Sequence, residues 1–331
     1  MDGICTLGND RVYDQIVALV NSIEAVFGRD YPICIYPYDD RTSQLEEFVA
    51  TRPQVEIYSD RESMERWEQF ARDAWDTHPT AFQRWGQVGD EKYHRFGTHR
   101  RFCGFDGPFD RFLYIDGDAL LLQDITPILQ RLDEYDCVVY DFQHKDFTHV
   151  YDANSSKLTQ VFPKERIDKE IFCSGFFASK KGLFPAEKRN QLIEYLKDGD
   201  AEVLYPMAPD QSLLNYMMMK SGASICNLAL ALPGDKKTGN AVTSRHFEWQ
   251  DNILCDRGKP LTYLHYIGIS SQVFQRVCAG ENLWFPYREA FLHYRYLHEP
   301  EKRPQFSGKP KPYNAPPSIM KRALRKLGLA K

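Results

Sequence analysis

The opening of the chain, residues 1–58, alternates between two hydrophobic periods, and this alternation constrains the fold more than any other feature. Residues 1–7 read as a short buried strand. Residues 11–27 follow with Ile16, Leu19, Val20, Ile23 and Val26 at helical spacing. Residues 31–38 form a second strand pattern, closed by the polar Asp39-Asp40-Arg41. A helical stretch at 43–50 and a third strand at 55–58 complete a βαβαβ unit. Such a unit requires a parallel sheet, because each helix carries the chain back to the edge from which the strands start. The expected class is therefore α/β with a parallel sheet.

Further along, helices are predicted at 63–75, 91–103, 185–197, 211–220 and 271–278. Strands are predicted at 112–115, 137–140, 172–178, 223–227 and 261–266. The stretch 232–250, rich in Gly, Lys, Thr and Asn, reads as a long loop. A length of 331 residues suits one large α/β domain, placed at 1–298. Six prolines between Pro300 and Pro317 mark 299–316 as a linker, and 317–331 reads as a short basic amphipathic helix.

The eight cysteines show neither a C-x-x-C pair nor a zinc spacing, and several lie in apolar runs as buried thiols do. With no leader-like start and no apolar run of membrane-spanning length, the expected compartment is the cytoplasm. A net charge of −4 gives no reason to expect a nucleic-acid partner.

The chemistry concentrates at Arg111-Phe-Leu-Tyr-Ile-Asp116-Gly117-Asp118. A buried strand ends and delivers two aspartates separated by one glycine. In open α/β sheets, ligands bind beyond the carboxyl ends of strands. Two adjacent carboxylates repel unless a cation lies between them, and hard oxygen donors suit Mn²⁺ or Mg²⁺. Gly117 lets the backbone approach a diphosphate closely. An ordinary Asp-Gly turn after a strand has the same local pattern.

Around this pair the sequence resembles glycosyltransferase family 8, the group that includes glycogenin and bacterial lipopolysaccharide galactosyl- and glucosyltransferases. The segments that carry the resemblance occur in order. Thr6-Leu7-Gly8-Asn9-Asp10-Arg11-Val12-Tyr13 resembles the nucleotide-binding start. Arg100 lies sixteen residues before Asp116, where the family places a basic donor-binding residue. Asp116-Gly117-Asp118 resembles the metal motif, Cys173-Ser174-Gly175 the Asn-Ser-Gly segment beneath the sugar, and Pro209-Asp210-Gln211 the Asp-Gln helix start. His265-Tyr266-Ile267-Gly268 resembles the late His-x-x-Gly motif. These landmarks run from residue 3 to about residue 271.

The resemblance implies a GT-A fold, an α/β Rossmann-like nucleotide-binding domain with a mixed, mostly parallel sheet, and a retaining, metal-dependent hexosyltransferase using a UDP-sugar. Asp116, Asp118 and His265 are its implied metal ligands, with Mn²⁺ (or Mg²⁺) as cofactor. Thr6, Leu7, Asn9, Tyr13, Arg100, Asp116, Gly117, Ser174, Gly175, Gly268 and Ser271 become donor-binding candidates, with Tyr13 against uracil. Asp210 and Gln211 become the catalytic candidates facing the transferred sugar. Two positions depart from the family pattern: Cys173 stands in place of Asn, and Ser271 in place of the lysine that meets the diphosphate. Lys236, Lys237 and Arg245 in the long loop are the candidate replacements for that charge.

The Ser271 departure also motivates a nucleotide-sugar-binding relative without turnover. A haloacid dehalogenase-type phosphatase is a remote third reading, since its motif places glycine after the second aspartate. The acceptor is left open as a glycan, a lipid-linked molecule or a protein. Lys321, Arg322, Arg325, Lys326 and Lys331, with no balancing acid, suggest that 317–331 attaches peripherally to the inner face of a membrane.

Overall fold

The computed structural model describes residues 1–87 and 94–315. The strands are β1 (Asp2–Gly8), β2 (Ile33–Pro37), β3 (Val55–Ile57), β4 (Arg111–Ile115), β5 (Ala119–Leu121), β6 (Cys137–Val139), β7 (Phe176–Lys180) and β8 (Ile225–Asn227). Seven of them form one sheet in the order β3-β2-β1-β4-β7-β6-β8. All neighbouring pairs are parallel except the two made by β7, which runs antiparallel to β4 and β6. The mixed, mostly parallel α/β sheet expected from the sequence is therefore present.

Both faces of this sheet are covered, which explains why its strands are apolar on both sides. On β4, Phe112 and Tyr114 enter one core and Leu113 and Ile115 the other. The helix α1 (Tyr13–Phe27) packs Ile16, Leu19, Val20 and Ile23 into the second core, each fully buried. Its apolar stripe is the one read at helical spacing. Each of these side chains removed from water contributes roughly 1.5–3 kcal/mol.

A third core belongs to the later part of the chain. Here β9 (Phe247–Gln250), β10 (Ile253–Asp256) and β11 (Lys259–Pro260) form an antiparallel meander, and β12 (Tyr263–His265) pairs antiparallel with β5. The end of the expected 232–250 loop is thus a strand. The β9–β10 turn carries Asp251 and Asn252, both with positive φ (49° and 63°), a hairpin signal visible in the residue types.

Three other expectations change. The predicted helix at 91–103 is a 3₁₀ run, His94–Phe105, within the described residues. The strand expected from residue 172 begins only at Phe176, because side chains take over the hydrogen bonds a ladder would have made. Asn215 bonds both the N–H and the C=O of Phe172 (2.9 and 2.8 Å), and Asp141 accepts from Cys173 N–H (3.0 Å). The 299–316 segment does not stand clear of the domain over its described part. Lys311–Pro312 pairs in parallel with Leu283–Trp284, and Phe306 and Tyr313 pack on the third core. The basic stretch 317–331 lies outside the described residues.

Candidate metal centre and donor cleft

β1 and β4 are parallel neighbours, so their carboxyl ends open on the same side of the sheet. There a cleft of about 800 Å³ is lined by Leu7, Asn9, Asp116, Gly117, Asp118 and Ser271 among others. Its floor depends on glycine. A Cβ on Gly117 would come within 2.7 Å of Ile16 Cδ1 and 3.1 Å of the Leu7 carbonyl, so α1, β1 and the aspartate turn pack this closely only without a side chain.

The β5–β12 pairing sets His265 opposite Ala119, one residue after Asp118. The Tyr266 N–H then bonds the Asp118 carbonyl (2.9 Å). As a result His265 Nε2 lies 3.2 Å from Asp118 Oδ1 and 3.9 Å from Asp116 Oδ2. One donor atom from each of the three residues falls within 4.8 Å of the others. Burial opposes the charge on His265, but the Asp118 carboxylate and its hydrogen bond outweigh it and raise the imidazole pKa well above its ordinary value. Burial likewise disfavours the Asp118 carboxylate, yet His265 holds its pKa below the usual range. The pocket is therefore built for positive charge between its carboxylates. Two hard carboxylates and an imidazole fit Mn²⁺ or Mg²⁺, whose binding would displace the imidazolium proton.

Behind Asp116 stands Arg101, which is 5% exposed. Its guanidinium reaches Asp116 Oδ1 (3.3 Å), Asp210 Oδ2 (3.0 Å) and the carbonyl and hydroxyl of Ser174 (2.9 and 2.7 Å), and lies over the Tyr114 ring at 4.9 Å. Tyr114 in turn donates to Asp116 Oδ1 (2.9 Å). Of the adjacent pair, Arg101 and not Arg100 reaches the Asp116 and Asp210 carboxylates. Arg100 turns away to the Pro37 carbonyl (2.7 Å) and Glu68 (2.6 Å). Successive residues of a 3₁₀ turn point about 120° apart, so a one-residue difference reverses the assignment.

The structure brings most of the other candidates together. Gly175 passes directly over the metal triad, since a Cβ there would lie 2.6 Å from Asp116 Oδ2 and 2.9 Å from His265 Cε1. Its carbonyl accepts the Asp116 N–H (2.9 Å). Ser174 donates from its hydroxyl to Asp210 (3.4 Å) and from its N–H to Gln211 Oε1 (3.1 Å). Gln211 also donates to the His149 carbonyl (2.8 Å), so both ends of its amide hold backbone. Asn9 donates to Asp39 (2.9 Å) at the rim. Gly268, with φ of +79°, makes the turn between β12 and the helix Ser271–Cys278.

Thr6 and Tyr13 lie off the cleft. Thr6 is buried within β1, its hydroxyl without a hydrogen-bond partner among the described residues. Tyr13 packs edge-on to Phe48 (6.1 Å) with the Arg295 guanidinium over its ring (5.6 Å). The three candidate replacement cations do not line the cleft either. Lys237 points to the Leu230 carbonyl (3.5 Å), and Arg245 lies over Trp284 (5.8 Å).

Asp141 was not foreseen. It is buried just beyond β6 and accepts the N–H groups of Gln143 (2.6 Å) and Cys173 (3.0 Å). Burial pushes its carboxyl up to about 7 against these bonds, leaving a proton-exchanging group beside the Cys173-Ser174-Gly175 turn. Only the contacts reveal it; the sequence around Asp141 carries no motif.

No protein-family model and no curated protein matches the chain. Solved structures do. The galactosyltransferase LgtC, in complex with donor and acceptor sugar analogues, is 15% identical, covering 89% of this chain and 95% of that chain with a TM-score of 0.54. Mouse xyloside xylosyltransferase 1 is 11% identical over 69% of this chain and 85% of its own, with a TM-score of 0.49. The bifunctional glycosyltransferase WbbM is 15% identical over 91% of this chain and 51% of its own, also at 0.49. The likeness to LgtC identifies the architecture as the GT-A fold.

Proposed function

We propose that this GT-A chain transfers a hexose from a UDP-sugar to an acceptor hydroxyl, with retention of configuration and with dependence on Mn²⁺ or Mg²⁺. The observation that carries the reading is the convergence of Asp116, Asp118 and His265 on a cleft at the strand ends. A bound divalent cation would supply positive charge against the departing diphosphate. Leu7 and Asn9 would border the nucleotide, and the Ser174-Gly175 turn would lie beneath the sugar. Arg101 pairs with the Asp116 and Asp210 carboxylates and holds them in position. Gln211 ties the 149 and 174 segments into one wall of the sugar site. The Asp210 carboxylate is engaged by Arg101 and Ser174, which suits a positioning group better than a covalent nucleophile. Retention is then best served by front-face attack of the acceptor hydroxyl, its proton passing to the leaving phosphate. The acceptor is a glycan, a lipid-linked molecule or a protein.

The test is UDP release from UDP-galactose and UDP-glucose without acceptor. Slow hydrolysis that requires Mn²⁺ and stops in chelator is expected for at least one donor. Binding of both sugars without turnover would replace the enzyme reading by that of a binding relative, and no binding would sink both.

No helix among the described residues is long and apolar enough to cross a membrane. The basic stretch 317–331 supports peripheral attachment at an anionic cytoplasmic surface, each cation near the surface contributing roughly 1 kcal/mol. The full chain is expected to sediment with phosphatidylglycerol vesicles at low salt and to lose binding when 317–331 is removed. Sedimentation unchanged by the truncation would exclude the tail as the anchor.

A further inference from the structure

Ser271 occupies the position where the resemblance implies a cation on the leaving diphosphate, and the basic residues of the 232–250 loop lie elsewhere. We propose that Arg11, beside the N-terminus of the helix Ser271–Cys278, supplies that cation and holds the donor diphosphate. The inference rests on the UDP-sugar reading above.

Arg11 lines the same cleft as Asp116, Asp118, Ser270 and Ser271. Its backbone is held on both sides. The N–H donates to Asn9 Oδ1 (3.1 Å), and the carbonyl accepts from Gln275 Nε2 (2.8 Å) in the helix that Ser271 opens. The second bond ties the Arg11 backbone to that helix. The side chain is exposed, and among the described residues no carboxylate pairs with it. Neighbouring acids are committed elsewhere: Asp10 Oδ1 accepts the N–H groups of Gln44 and Leu45 (3.1 Å each), and Asp39 is paired with Arg41. Arg41, the other arginine on the cleft, is thereby engaged, whereas Arg11 has its donors to offer.

The helix adds a second positive element. Ser270 is its N-cap, its hydroxyl accepting from Gln272 N–H (3.4 Å). First-turn N–H groups lack intrahelical acceptors, and the helix dipole favours an anion at this end. A guanidinium presents a fixed planar fork to two phosphate oxygens, a geometry that a lysine ammonium lacks. The charge lost at position 271 is thus recovered from Arg11, whose carbonyl is bonded to the helix that Ser271 opens.

Calorimetric titration of the full chain with UDP and with uridine, in Mn²⁺, tests this. Arg11→Ala is expected to weaken UDP binding by about 10- to 100-fold, the range for losing a charge-assisted pair. Uridine affinity and the melting temperature should stay near wild type, because the side chain is exposed and touches no core. Arg11→Lys should fall between the two, and adding Ser271→Lys to Arg11→Ala should restore UDP affinity. Unchanged UDP binding in Arg11→Ala would overturn the proposal. So would an equal loss for UDP and uridine, which would place Arg11 on the base. Wild-type protein that binds neither ligand would overturn the UDP-sugar reading itself, a result distinct from either of these.

Discussion

Asp118→Asn is expected to abolish Mn²⁺-dependent binding of UDP and to lower UDP-sugar turnover roughly a thousandfold, equivalent to about 4 kcal/mol of transition-state stabilisation. Asp118 is the cleaner probe of the pair. Asp116 also anchors Arg101 and Tyr114, so its replacement disturbs the wall as well as the metal. At position 118 the change removes one ligand and the partner of His265. In chelator the variant should melt within a few degrees of wild type, since His265 can lose its proton when its counter-ion is gone. In Mn²⁺ plus UDP, the wild-type protein should gain several degrees and the variant nothing. A variant that keeps the Mn²⁺-dependent shift would show that the triad does not hold the ion.

The second large effect belongs to Arg101. Removing one member of a buried ionic group leaves its partners charged and unpaired, at a cost of roughly 3–5 kcal/mol. Arg101→Met removes the guanidinium that pairs with Asp210, which is 6% exposed, and with Asp116. A fall of roughly 4–7 °C in melting temperature is expected for a chain of this size. Turnover should fall with it, because Ser174 loses both bonds from the guanidinium. Adding Asp210→Asn should recover part of the lost stability by removing the uncompensated charge, a coupling that a purely steric defect would not show. Arg101→Lys keeps the charge but cannot span Asp116, Asp210 and Ser174 together, so it should rescue stability more than activity. A loss below about 1 kcal/mol in Arg101→Met would contradict the role assigned to it.

The contrast between Arg100 and Arg101 shows where reading a sequence stops. Both residues are basic and adjacent, and both stand at a plausible distance before Asp116. Which one faces inward depends on the local turn, a 3₁₀ run where an α-helix was expected. Tyr13 is a similar case. The resemblance implies a ring against uracil, but packing against Phe48 draws it off the cleft. Asp141 had no signal at all, since its elevated pKa is a property of burial and not of neighbours in sequence.

Period and local chemistry determined what the sequence alone could determine. The apolar residues of 1–58 admit only a parallel βαβαβ start, the run Arg111–Ile115 must be a buried strand, and the aspartates after it must emerge at its carboxyl end. Those are consequences of covalent neighbours and of hydrophobic burial, which act residue by residue. The tertiary structure alone decided the remainder. Pairing β5 with β12 carries His265 to Asp118, the Asn215 and Asp141 side chains delay the start of β7 and shape the Cys173-Ser174-Gly175 turn, and Arg101 joins Asp116 to Asp210. These are interactions between groups far apart in the chain. Their geometry depends on how separate elements pack, and no local pattern encodes the direction in which a buried guanidinium finally points.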